Sequence, residues 1–246
     1  EFRASLFTCQ IMTMAKEGDQ QETAWEFDFS RSYKDLDVEK VGRKAAEKAV
    51  EMLHSKRLAS IRCPVILENT VAAEMLEVMA ASFLAENIAK GKSMLIGKER
   101  KKIFHNSINI IDDGTLKGGF SSFPFDGEGS AAKKTRLVSE GRITNFLYDR
   151  YYAHKMGAIT TGNSIRAGIT SPPRTGPTNF YIEKGKEGPE QLVKHLNRGL
   201  WVKELLGIHT ADPVSGDFSV GAQGIWIENG EKVHPAKGIA ISDNIL

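Results

Sequence analysis

Glycine-bearing turn signals constrain this chain more than any other feature: Asp112-Asp113-Gly114, Asp126-Gly127-Glu128-Gly129, Glu140-Gly141 and Asn229-Gly230 punctuate everything after about residue 103. Gly and Asn accept the positive φ that tight hairpin turns demand, so such spacing favours antiparallel ladders over long helices. Residues 135–138 are expected to pair with 142–148 around Glu140-Gly141, and 224–228 with 232–241 around Asn229-Gly230. Two short helices are expected between them. One covers 149–156 and ends at Gly157; the other covers 189–198, with Pro189 in its first turn and Gly199 as its stop. The proline-rich stretch 168–178 reads as a long surface loop.

Residues 1–102 have a different texture. Alternating stretches on either side of Lys16-Glu17-Gly18-Asp19 predict a β pair over 2–33, with Trp25, Phe27 and Phe29 on one face that is expected to be buried. Asp37 is placed to cap a helix running to about residue 54, because Val38, Val41, Ala45, Ala49 and Met52 or Leu53 recur at helical spacing. The short apolar run 64–67 is expected to form a core strand. A second helix follows over 71–89, with Thr70 as N-cap, Gly91 as stop, and Val71, Met75, Val78, Met79, Ser82 and Phe83 on a core face. The fold class is α+β, antiparallel and β-rich with hairpins and a few packed helices. The organisation is a hairpin plus two helices over 1–102 and a β-rich part over 103–246.

With 33 basic residues against 31 acidic ones, the formal net charge is +2, and no whole-chain field favours nucleic acid or an anionic membrane. The densest basic run, Lys98 to Lys102, reads as a solvated segment. No apolar run approaches the roughly 20 residues needed to span a bilayer. Cys9 and Cys63 lie far apart and form neither CxxC nor a Cys/His cluster, so a reducing cytoplasm is the expected compartment. The chain opens on Glu1 directly into strand-like residues 2–8, so a longer parent protein is expected.

Recognisable catalytic patterns are missing. A helical metal site usually carries two histidines at a short fixed spacing, because its ligands must converge on the ion. Here His54, His105, His154, His195, His209 and His234 are dispersed. Neither the Ser219 nor the Ser164 neighbourhood has the glycine spacing of a nucleophile elbow. Gly221-Ala222-Gln223-Gly224 does not open a helix, and its glycines are expected to allow a close backbone approach or a bulge. Asp112-Asp113 and the 126–129 segment read as turns; their spacing does not match a calcium loop.

Several stretches resemble the TldD/PmbA family: Ser122-Phe123-Pro124-Phe125-Asp126-Gly127-Glu128-Gly129, Lys134-Thr135-Arg136-Leu137-Val138, Thr161-Gly162-Asn163, and above all the block from His209-Thr210-Ala211-Asp212-Pro213 to Gly221-Ala222. That block is similar to the TldE/PmbA branch. The resemblance implies a C-terminal portion of such a protein, with the family's N-terminal domain absent from this chain. In the TldD branch, a helix carries an HExxxH zinc motif; aligned here, it falls on Glu77-Val78-Met79-Ala80-Ala81-Ser82. Glu77 and Ser82 then replace the ligands and Val78 the general base, so the resemblance implies no metal and no catalytic residue in this chain. Zinc is expected in a TldD-type partner subunit, with a peptide as substrate and Asp126, Glu128, Asn163 and His209 as candidate substrate-binding residues. The alternative is a homodimeric peptide-binding or scaffold protein without protease activity. The family's older name, modulator of DNA gyrase, suggests a DNA link, but near-neutral charge argues against direct nucleic-acid binding.

Overall fold

The computed structural model describes residues 3–246. Of the strand expected from residue 2, Phe2 lies outside the described residues, and regular pairing begins only at Phe7. β1 (Phe7–Glu17) and β2 (Gln20–Ser30) pair antiparallel, from Phe7 opposite Ser30 to Glu17 opposite Gln20, and turn through Gly18 at φ +56°. The expected burial of the aromatic face is overturned, since Trp25, Phe27 and Phe29 are 40%, 39% and 47% exposed.

The reason lies in helix α1 (Val38–Glu51), which packs on the opposite face of the hairpin through Val41, Ala45 and Ala49. Lys48 Nζ stands 2.9 Å from Glu26 Oε2, and Glu26 is buried. An inward Glu26 sends its neighbours Trp25 and Phe27 outward, because successive strand side chains alternate between faces. The outward rings stack, Trp25 on Phe27 at 5.5 Å and Phe27 on Phe29 at 6.2 Å, and Phe29 meets Phe120 edge-on at 5.5 Å. Asp37 caps α1 as expected, Oδ1 accepting the Lys40 N–H at 2.9 Å, whereas Val38 is exposed rather than on the core face.

β3 (Val65–Leu67) leads into α2 (Asn69–Ala80). The continuous helix expected over 71–89 is broken: a 3-10 turn spans Ala81–Phe83, Leu84 is extended at φ −76°, ψ 124°, and α3 (Ala85–Ala89) restarts the helix. Strand-like pairing with a distant segment wins there, the Leu147 N–H donating to Phe83 O at 2.8 Å and the Ala85 N–H to Leu147 O at 2.9 Å. Thr70 lies inside the first turn, and Glu68 holds the N-cap position without a side-chain cap. Gly91, at φ +73°, follows the end of α3.

Next come β4 (Ile110–Asp113), β5 (Lys134–Ser139), β6 (Arg142–Ile143), α4 (Arg150–Lys155), β7 (Ser164–Ile165), β8 (Arg174–Thr175), β9 (Phe180–Ile182), α5 (Pro189–His195), β10 (Arg198–Leu206), β11 (Asp217–Glu228) and β12 (Glu231–Asn244). One antiparallel sheet runs β6-β5-β4-β9. A second runs β12-β11-β10-β3, with β3 parallel to β10. The hairpins at Glu140-Gly141 and Asn229-Gly230 form, all four residues having positive φ.

Other expectations fail locally. Asp112 and Asp113 end a buried strand rather than form a turn, and the strand expected over 142–148 stops at Ile143. α5 stops at His195, and Gly199 lies within β10, where a Cβ would collide with Pro64 O of the neighbouring chain segment. The expected loop 168–178 contains β8, with Thr175 buried.

α2 joins the two sheets. Its Val71 packs with Leu200, Val202, Val220 and Trp226 of the second sheet, while Leu76 and Met79 pack with Ile110, Leu137, Val138 and Ile143 of the first. The opposite face of the second sheet buries Trp201, Ile225 and Ile227 against Met52 and Val193. Among the described residues no helix is long and apolar enough to cross a membrane.

Candidate functional site

The C-terminal end of α2 meets the block that begins at His209. Glu77 is exposed, Val78 half-buried, and Ser82, in the 3-10 turn, fully buried. Ser82 Oγ donates to Pro213 O at 2.9 Å, and Ser93 Oγ donates to Ser82 O at 2.7 Å. The loop that receives Ser82 is a tight structure of its own. Asp212 Oδ1 accepts the N–H of Val214 at 2.8 Å and of Ser215 at 3.4 Å, and the Gly216 N–H returns to Asp212 O at 2.8 Å. The Val214 N–H, aided by Ser215, holds the exposed Asp212 carboxyl below the usual carboxylate range. His209 sits on the 3-10 turn Ile208–Thr210, exposed to solvent.

Glu74, one turn before Glu77, was not singled out by the sequence. Burial pushes its carboxyl up, the negative charges of Glu204 and Glu77 add to this, and Oε2 has neither solvent contact nor a hydrogen-bond partner. Spacing along α2 places Glu74 and Glu77 on neighbouring positions, but only the sheet brings Glu204 to them.

A second polar cluster gathers three of the four expected binding residues. Asp126 is half-buried; its Oδ1 accepts the N–H groups of Glu128 at 2.9 Å and Ser130 at 2.8 Å, and its Oδ2 that of Ser164 at 3.1 Å. Glu128 Oε2 accepts the Arg150 N–H at 2.8 Å. Asn163 is buried, and its Nδ2 donates to Asp112 Oδ2 at 2.7 Å and to Gly176 O at 3.1 Å. Asp112 also accepts from the Thr178 N–H at 2.6 Å and its hydroxyl at 2.8 Å. Burial raises the Asp112 carboxyl above its ordinary range; the bonds from Asn163 and Thr178 oppose this in part, and the Asp113 charge adds to it. Asp149 accepts from Thr175 Oγ1 at 2.8 Å and from the Tyr152 N–H at 2.7 Å.

These carboxylates are engaged with donors of the chain itself, an arrangement that fixes loops. Sequence reading took Asp112-Asp113 for a turn and did not single out Asp149, Thr175 or Thr178 for this cluster. His209 belongs to the other region, beyond β10.

Positions 77, 78 and 82 do not fit a zinc ion. Glu77 faces solvent, Val78 has no polar atom, and the Ser82 hydroxyl donates to a carbonyl, whereas zinc is held by converging N, S and O donors near 2 Å. Among the described residues no group of three or more His, Cys, Asp and Glu is placed to hold a metal.

Residues 60–246 match the family model described as the PmbA/TldA metallopeptidase C-terminal domain. The chain belongs to the TldD/PmbA family. It is 30% identical over 244 residues to metalloprotease PmbA of Escherichia coli O157:H7, covering 99% of this chain and 51% of that protein. A solved Thermotoga maritima structure, described as a candidate modulator of a DNA gyrase, superposes with TM-score 0.89 at 32% identity, covering 96% of this chain and 54% of that one. TldE from Thermococcus kodakarensis superposes with TM-score 0.89 at 26% identity, covering 98% and 55%. The chain thus spans about half the length of the curated relatives it matches.

Proposed function

We propose that this TldD/PmbA-family chain is a non-catalytic, TldE/PmbA-like subunit of a cytoplasmic TldD/TldE-type zinc metalloprotease that processes or degrades peptides. The single observation that carries the reading is the condition of three positions at the end of α2 and in the 3-10 turn after it: an exposed Glu77, an apolar Val78, and a Ser82 hydroxyl committed to Pro213. Zinc and the general base belong in this reading to the TldD-type partner, and no chemical step is assigned to this chain. Its contribution is to shape the cavity and offer backbone to an extended peptide. β12 supports that role, because it is the outer strand of its sheet. Among the described residues, Lys56 bridges it at Ala236, while 239–244 pair on one side only, with β11. Main-chain pairing along such an edge gives sequence-tolerant affinity.

A second reading, self-association as a peptide-binding scaffold, is favoured by the outward Trp25, Phe27 and Phe29 rings, since contiguous exposed apolar surface marks contact sites. One experiment separates the two: light scattering and zinc-dependent peptide cleavage, measured on the chain alone and with a TldD-type subunit. The proposal expects a heteromer and cleavage only in the mixture. Robust zinc-dependent cleavage by this chain alone overturns it, and a stable homodimer that ignores the TldD-type subunit favours the second reading.

A further inference from the structure

Ser82 is fully buried in a 3-10 turn. Hydroxyls in helical segments commonly bond back to their own preceding turn. This one instead donates to Pro213 O, 131 residues along the chain. The Ser82 carbonyl is itself held by Ser93 Oγ, which also accepts the Leu95 N–H at 3.0 Å. Hydrogen bonds thus run from the 93–95 segment through Ser82 into the 209–217 loop. The loop lies against the same neighbours: at Gly216, with φ +86°, a Cβ would come within 3.2 Å of Met94 Sδ and 3.1 Å of Asn244 Oδ1. Further tethers act at the far side of the loop, Asn244 Nδ2 donating to Ser215 O at 3.0 Å and to Asp217 Oδ1 at 2.7 Å, and the Ile245 N–H to Gly216 O at 2.9 Å. At Pro213 the hold comes from Ser82.

We infer that Ser82 is a positioning residue, whose hydroxyl locks the 209–217 loop and thereby sets how the chain presents His209 and the Asp212-Pro213-Val214 tip. The strap stands on hydrogen bonds within this chain; it rests on the proposed function only for what the tip would contact in an assembled protease.

The test is hydrogen exchange on the chain alone, with the His209 ring resonance followed by NMR. Ser82→Ala is expected to speed exchange at Val214 and Ser215 about five-fold, the order of one lost hydrogen bond. The amides of Val202 and Ile225 in the second sheet keep their rates, and the His209 resonance shifts. Ser82→Thr, which keeps the hydroxyl, restores both readouts. The inference is overturned if Ser82→Ala changes loop and sheet rates in step, leaves the loop and His209 unchanged, or is not rescued. Should Ser82→Ala not fold, Ser82→Cys fills nearly the same space with a weaker donor: faster loop exchange supports the strap, and an unchanged rate overturns it. Partner-dependent cleavage is a separate measurement, so failure of the strap and failure of the subunit reading are distinguishable.

Discussion

Replacing Asp112 with alanine tests whether the buried polar cluster is a structural knot. The carboxylate is 1% exposed and accepts three hydrogen bonds, from Asn163 Nδ2 at 2.7 Å, the Thr178 N–H at 2.6 Å and the Thr178 hydroxyl at 2.8 Å. In Asp112→Ala, Asn163 keeps Gly176 O, while the Thr178 N–H loses its acceptor. An orphaned buried donor costs about 1–3 kcal/mol, and bonds to an ionised acceptor are individually stronger than neutral ones. Removing a charge that burial disfavours offsets part of the loss, so the net destabilisation at neutral pH is about 2–4 kcal/mol.

The pH dependence has a definite sign. The folded carboxyl titrates above its unfolded value of about 3.9, so in that window the folded state binds more protons and stability on this account falls as pH rises. Wild type gains stability on acidification towards about pH 4, where the variant has no such group, and the gap between them should widen. Urea unfolding followed by tryptophan fluorescence across that range measures both quantities. A loss below about 1 kcal/mol, or a gap that narrows on acidification, refutes the reasoning.

Gly224→Ala should be costly for a different reason. A Cβ at Gly224 would collide with Trp201 O and lie 2.9 Å from Trp201 C, backbone atoms of the paired strand that cannot rotate away. The expected cost is about 2–4 kcal/mol, or roughly 4–16 °C in Tm for a chain of this size, and a drop under about 2 °C in calorimetry would show that the two strands can part at this close approach. Glu26→Gln probes the pair beneath the hairpin. Burial raises the Glu26 carboxyl, but the Lys48 ammonium, the Phe27 N–H and Lys44 together bring it below its ordinary value. A depressed carboxyl contributes stability above its unfolded value, near pH 4.3, and loses it as pH falls through the folded value. The variant should lose about 1 kcal/mol at neutral pH, discounted for the partly exposed lysine, and almost nothing in acid. An equal loss at both ends of a denaturant series taken against pH would contradict the pairing.

Local chemistry was legible in the sequence, and competition between distant segments was not. Asn229-Gly230 announces its hairpin because both residues must take positive φ, and both do; Asp37 announces α1 because its carboxylate has only to reach the Lys40 N–H. Alternation correctly put Trp25, Phe27 and Phe29 on one face, but it is symmetric between the two faces. The choice was made by α1, which offers Glu26 a lysine. The apolar rhythm of 71–83 likewise contains no sign that Leu147 will pair with the backbone at 83–85 and end the helix.

The candidate site divides the same way. Asp126 Oδ1 holds the N–H groups of Glu128 and Ser130 in its own turn, which the sequence signals, whereas its Oδ2 bond from Ser164 is as distant as the donors that Asn163 and Thr178 bring to Asp112, which reads as part of a turn until they arrive. Ser82 is the sharpest case. By resemblance it is the place of a lost ligand, a purely negative statement. Its contact with Pro213 gives the position a physical role that no local pattern encodes, since both partners become meaningful only after α2 and the His209 block have been packed together. Such a buried position can hold the neighbouring loop, and the hydroxyl of Ser82 is bonded as that use requires.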